Sequence, residues 1–120
     1  MGKLILIVDD DPLVLKLITS ICEKEGYMTV IATNGKQAIE LAKVRKPSLV
    51  LMDLQLPIMD GFQSMKTIKA DVSTKHIPIL ALSALAMEED KAKAFKAGCD
   101  GYITKPIDIQ GFLKKIKEYA

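Results

Sequence analysis

The chain has 120 residues, 49% of them hydrophobic and 27% charged, with a formal net charge of +2. That length and apolar content suit one domain over residues 1–120 with a core of its own. The small net charge, without a basic arm or a helix-turn-helix region, argues against nucleic acid as a partner. The first apolar run, Leu4 to Val8, is far short of the roughly 20 residues that span a membrane, so a cytoplasmic protein with no membrane partner is expected.

Strand and helix patterns then alternate five times along the chain. A first strand is expected from Leu4 to Asp9, and a first helix from Pro12 to just before Gly26, with proline suited to a first turn and Asp11 as N-cap. A second strand over Met28 to Ala32 leads into a helix from about Gly35 to Val44, with Ala38, Leu41 and Ala42 on one face. Pro47 breaks that pattern before a third strand, Ser48 to Asp53. The third helix starts after Asp60-Gly61 and turns Phe62, Met65 and Ile68 inward; Met59 beside it reads as a packing residue. A polar loop from Asp71 to His76 leads to a fourth strand, Ile77 to Leu82. The fourth helix spans Met87 to Ala97 and has a weak apolar face of Ala92, Ala94 and Ala97 with one large residue, Phe95. Gly98 is a natural stop, the fifth strand follows as Gly101 to Thr104, and the last helix carries Ile109, Phe112, Leu113 and Ile116 at helical spacing. Cys22 and Cys99 make neither a metal-ligand spacing nor a secreted disulfide framework and read as core or near-surface thiols.

Apolar strands that each precede a helix belong to a parallel sheet covered on both faces, and ligands of such sheets bind at the carboxyl ends of the strands. Right-handed crossovers favour an α/β, flavodoxin-like doubly wound five-stranded sheet of order 2-1-3-4-5, with helices 1 and 5 on one face. Four strand ends then bring chemistry to one rim: Asp9 and Asp10, Asp53, Ser83, and Lys105. Singly, each has an ordinary explanation. Asp11 is better read as a helix cap than as a ligand, Asp53 alone could cap a turn, and Ser83 alone could start a helix. Lys105 alone reads as a solvated charge, Tyr102 as strand packing and His76 as a surface loop residue. It is the spacing of these residues that argues for a joint site.

Four segments carry a resemblance over the whole length: Ile7-Val8-Asp9-Asp10-Asp11-Pro12, Leu51-Met52-Asp53 through Asp60-Gly61, Ser83-Ala84, and Tyr102-Ile103-Thr104-Lys105-Pro106. In these the chain resembles the receiver domain of two-component response regulators, in particular single-domain regulators of the DivK and chemotaxis types and receivers of hybrid histidine kinases. The resemblance implies a signalling domain rather than a conventional enzyme. It implies that Asp53 accepts a phosphoryl group and that Asp9, Asp10, Asp53 and the Gln55 backbone carbonyl hold Mg2+. Ser83, Ala84 and Lys105 would contact the phosphoryl group, Ser83 and Tyr102 would act as the switch, and the Lys105-Pro106 bond would be cis. The donor would be a histidine kinase or histidine phosphotransfer protein, the reader an unidentified downstream protein, and the molecule a monomer; a free-standing adaptor and a hybrid-kinase fragment both remain open. Residues corresponding to Gln55 and Leu85 tune phosphate lifetime in the family, and apolar Leu85 argues for slow self-dephosphorylation.

The residues support the cofactor independently. Three carboxylates crowded into one cleft raise each other's proton affinity unless a cation neutralises them, and magnesium prefers such oxygen donors. Two other classes fit less well. A haloacid-dehalogenase-type phosphatase could use Asp9 and Asp11, but Leu13 and the helix start at Pro12 break its motif. A flavodoxin-like electron carrier needs a phosphate cradle where Asp9, Asp10 and Asp11 would repel an anion.

Overall fold

The computed structural model describes residues 3–56, 60–85 and 87–120. Met59 and the middle of the loop before the third helix lie outside the described residues. Five strands, β1 (Leu4–Val8), β2 (Met28–Ala32), β3 (Leu49–Asp53), β4 (Ile79–Ser83) and β5 (Gly101–Thr104), alternate with five helices. The helices are α1 (Pro12–Lys24), α2 (Gly35–Arg45), α3 (Gly61–Ala70), α4 (Glu88–Ala97) and α5 (Ile109–Tyr119). All pairings are parallel, in the order β2-β1-β3-β4-β5, as the crossover argument requires.

The central strands are apolar up to their carboxyl ends because both faces of the sheet are covered. Alternate residues serve alternate faces. Leu6, Val8, Val50, Met52, Ile79 and Ala81 pack with Ala38, Ala42, Met65, Ile68, Ala94 and Ala97 of α2, α3 and α4. Ile5, Ile7, Leu49, Leu51, Leu80 and Leu82 pack with Ile18, Ile21 and Cys22 of α1 and Phe112 and Ile116 of α5. At about 1.5–3 kcal/mol for each large aliphatic side chain removed from water, these two layers supply the main driving force. β2 is one of the two edge strands, and Met28 and Ile31 remain exposed on it.

Short polar side chains set the helix starts. Asp11, Asn34, Asp60 and Asp108 each accept a hydrogen bond from a backbone N–H in the first turn of α1, α2, α3 and α5. α2 runs one residue past the expected Val44 and closes at Lys46, whose φ of 46° is left-handed. Both thiols are buried, and burial pushes Cys22 up to about 12, helped by Glu23, and Cys99 up to about 11, helped by Asp100, so neither is a thiolate at neutral pH.

Three expectations need correction. β4 begins at Ile79 rather than Ile77, because Ile77 N–H bonds back to Thr74, Pro78 has no donor, and Lys69 Nζ takes the Ile77 carbonyl at 2.8 Å. The same ammonium lies 3.0 Å from Asp100 Oδ2, which also accepts from Ile79 N–H. On α4 only Ala94 and Ala97 are buried; Ala92 is exposed and Phe95 is 49% exposed. The inward stripe passes through Lys91, Ala94 and Ala97, and Phe95, one residue on, is rotated out of it. In α5 Phe112 and Ile116 are buried, whereas Ile109, the first residue of the helix, is exposed.

Candidate functional site

Parallel pairing brings the carboxyl ends of β1, β3, β4 and β5 side by side. Asp9, directly after β1, is wholly buried, while Asp10 next to it is exposed. Asp9 Oδ1 accepts from Asp11 N–H at 2.9 Å, and Asp9 Oδ2 accepts from Lys105 Nζ at 3.0 Å. Asp53 closes β3 and is 3% exposed; its Oδ1 accepts from Gln55 N–H at 3.0 Å, and its Oδ2 lies 3.6 Å from Lys105 Nζ. Lys105 follows β5, with its own N–H bonded to the Ser83 carbonyl at 2.8 Å and a cis bond to Pro106.

Ser83 ends β4, buried, and its Oγ accepts from Leu85 N–H at 3.0 Å, with exposed Ala84 between them. Tyr102 is buried in β5, and its hydroxyl donates to the Leu85 carbonyl at 2.6 Å. Thus Leu85 ties the serine to the tyrosine through its main chain, a link that no side-chain pattern announces. Gln55 is exposed, and its N–H is committed to Asp53. His76 is exposed on the loop before β4, at the opposite end of the strands. A groove of about 730 Å³ runs along α1 from Pro12 to Lys24, and none of Asp9, Asp10, Asp53, Ser83 and Lys105 lines it.

Electrostatics distinguish these groups. Burial pushes the Asp53 carboxyl up to about 6, and the Asp9 charge adds to this, while Gln55 N–H and Lys105 pull against it. Burial alone would lower the Lys105 pKa, but the hydrogen bond to Asp9 and the charges of Asp53 and Asp9 outweigh it and hold the ammonium above its ordinary value. Asp9, Asp10 and Asp53 each offer a carboxylate oxygen, all within 4.8 Å of one another. Opposite oxygens around Mg2+ stand roughly 4.2 Å apart, so these hard donors fit the ion after a small closure.

One consequence follows for the metal-free protein. A carboxyl whose pKa rises from 3.8 unfolded to about 6 folded binds more protons in the folded state, so stability falls as pH increases through that window. Asp53→Asn, measured by urea unfolding with a chelator present, is therefore expected to gain roughly 1–3 kcal/mol at pH 7.5, shrinking towards zero near pH 4. A gain that does not change with pH would show that charge at this position is not its source.

The sequence matches the model of the response regulator receiver domain over residues 5–117. The chain belongs to the receiver domain family. It is 40% identical over 119 residues to the polar-differentiation response regulator DivK of Brucella anthropi, covering 99% of this chain and 97% of that one. The same identity and coverage hold for DivK of Brucella ovis. Among solved structures, the receiver domain of the sensor histidine kinase PA1611 from Pseudomonas aeruginosa PAO1 is similar, with a TM-score of 0.92 and 28% identity over 99% of this chain and 98% of that one. That receiver is described with a magnesium ion coordinated in its active site cleft. A putative response regulator from Chloroflexus aurantiacus reaches a TM-score of 0.95 at 29% identity, over 99% of this chain and 98% of that one. Receivers are signalling domains of two-component systems, and the acidic cluster of this receiver is placed to hold a divalent cation.

Proposed function

We propose that this receiver is a phosphorylation-activated switch in which Asp53 accepts a phosphoryl group from a histidine kinase or a histidine phosphotransfer protein. The observation that carries this reading is a nearly buried Asp53 carboxylate beside Asp9, with the Lys105 ammonium within 3.6 Å. An Asp53 carboxylate oxygen forms a bond to phosphorus as the phosphorus–nitrogen bond of the donor phosphohistidine breaks, and the imidazole leaves. Such transfer asks the protein for alignment and for positive charge beside the moving oxygens. Asp9, Asp10, Asp53 and the Gln55 carbonyl would hold Mg2+, which when bound neutralises phosphoryl oxygens and the acidic cleft together. Lys105 supplies the second positive charge, Ser83 offers a hydroxyl donor, and Ala84 leaves the approach open. The domain supplies the site for its own phosphorylation and dephosphorylation, in the cytoplasm, as a monomer.

A phosphoryl group adds up to about two negative charges at Asp53. Ser83 Oγ, now an acceptor from Leu85 N–H, would turn to donate to a phosphoryl oxygen and so loosen the Leu85 turn that also holds the Tyr102 hydroxyl. The two packings differ at α4, which is anchored by only two buried alanines, and output follows through the surface of α4, β5 and α5 to a protein partner.

Intact mass after incubation with acetyl phosphate tests the proposal. A gain of one phosphoryl group is expected with magnesium, none with a chelator, and none in Asp53→Ala. On the phosphorylated sample, amide exchange is expected to change most over residues 87–102. A phosphoryl gain that persists in Asp53→Ala would place the acceptor elsewhere.

A further inference from the structure

A second concave site lies between α3 and α4, away from the acidic rim. It is a cleft of about 310 Å³ lined by Phe62 and Lys66 of α3 and by Lys93, Lys96 and Ala97 of α4. Its size falls at the lower end of small-ligand pockets. Phe62 and Ala97 give it an apolar floor, and Lys93 Nζ stands 4.8 Å from the centre of the Phe62 ring, held there by the negative ring face. Lys66, Lys93 and Lys96 are exposed, and among the described residues none of the three is ion-paired.

The positive stretch is short. The first turn of α4 carries Glu88, Glu89 and Asp90, and at the other end of the two helices Lys69 is already taken by Asp100. An extended acidic polymer laid along the helices would run onto these carboxylates, whereas a compact anion fits among the three lysines that line the cleft. An apolar aromatic floor ringed by ammonium groups selects a ligand with both an aromatic plane and a phosphate, because bases stack on aromatic side chains and phosphates pair with lysine.

We propose that the α3–α4 cleft binds an aromatic phosphate of the mononucleotide class, its base taking the place of the Lys93 ammonium on the Phe62 ring and its phosphate drawing that ammonium to itself together with Lys66 and Lys96. Such an occupant would bridge α4 to α3, whose first residue, Gly61, packs on the backbone of Asp53. The cleft thus offers a means of sensing a metabolite independently of phosphorylation.

Amide spectra of the labelled protein, recorded with a chelator so that the acidic rim has no cation with which to hold a phosphate, provide the test. Adenosine monophosphate is expected to give saturable shifts in residues 61–67 and 92–98 with a Kd of about 1 mM or tighter, and adenosine or inorganic phosphate alone to bind roughly tenfold more weakly. The double variant Lys66→Glu/Lys93→Glu changes exposed side chains only; it is expected to keep the native spectrum and to lose at least about tenfold in affinity. The proposal is overturned by any of four results: no saturable shift by about 10 mM, equal affinity for inorganic phosphate, an unaffected double variant, or shifts confined to the rim around Asp53.

Discussion

Lys105→Met is expected to destabilise the metal-free protein by roughly 2–4 kcal/mol, most of it recoverable with magnesium. Lys105 Nζ lies 3.0 Å from Asp9 Oδ2 and 3.6 Å from Asp53 Oδ2, and those carboxylates are 0% and 3% exposed. Removing the ammonium leaves two buried like charges whose remaining side-chain hydrogen bonds come from Asp11 and Gln55 N–H. Breaking one side of a buried ion pair costs about 3–5 kcal/mol, and the lower figure here reflects the partial solvation of the lysine. Methionine keeps much of the apolar stem, so lost packing contributes little.

The dependence on conditions separates charge from packing. Lys105 holds the Asp53 pKa down, so without it the carboxyl titrates above about 6, and the stability lost at neutral pH returns as the solution is acidified through that range. Magnesium binds the same carboxylates and meets less competition once the ammonium is gone; at a hundredfold excess over Kd a native-state ligand adds about 2.7 kcal/mol. Urea unfolding of both proteins at pH 7.5, with chelator and with magnesium, is the measurement. A wide gap with chelator and a narrow one with magnesium is expected; an equal gap in both would reduce Lys105 to a packing role. The variant should also accept phosphate from acetyl phosphate more slowly, since one of two positive charges beside the transferring oxygens is gone.

The rim was legible because its residues stand at the ends of strands, and strands buried on both faces are legible as unbroken apolar runs. β2 and β5 have the bounds that their sequence predicts, and Asp11 caps α1 from its place before Pro12. The start of β4 was misread where a long-range polar bond overrides a local pattern. Ile77 is buried and apolar, yet Lys69 and Thr74 claim its backbone groups and delay β4 by two residues. Lys69 is eight positions upstream of Ile77, and Asp100 is thirty-one residues from Lys69, so no local period could join them. On α4, hydrophobicity put Ala92 and Phe95 on the inward face with Ala94 and Ala97, although helical spacing sets the last two on one stripe without the others. Within the site, the sequence placed Asp9, Asp10 and Asp53 together but could not tell that Asp9 is buried against Lys105 while Asp10 faces solvent. That division depends on how the chain turns after β1, where Asp9 Oδ1 is drawn to Asp11 N–H.

Gly61→Ala is expected to destabilise the protein by roughly 2–3 kcal/mol, although alanine is the better helix former. Gly61 opens α3, where a glycine-to-alanine change would ordinarily gain up to about 1 kcal/mol. Space decides the sign. A Cβ at this position would collide with the Asp53 carbonyl oxygen and stand 2.6 Å from Leu54 Cα, and both are main-chain atoms that cannot turn aside. The first turn of α3 must therefore lift off the end of β3, weakening the Gly61 N–H bond to the Leu54 carbonyl. Gly111→Ala in α5 is the matched control: its Cβ would meet only Asp108 Oδ2, the mobile end of a capping side chain, so a change of under about 1 kcal/mol is expected. Because the atoms displaced by the added methyl group belong to the backbone of Asp53 and its neighbour Leu54, phosphorylation by acetyl phosphate should fall in Gly61→Ala and stay near normal in Gly111→Ala. Equal stability of the two variants in urea would mean that the loop before α3 yields freely, and that the close approach of α3 to the acceptor strand has no part in fixing the site.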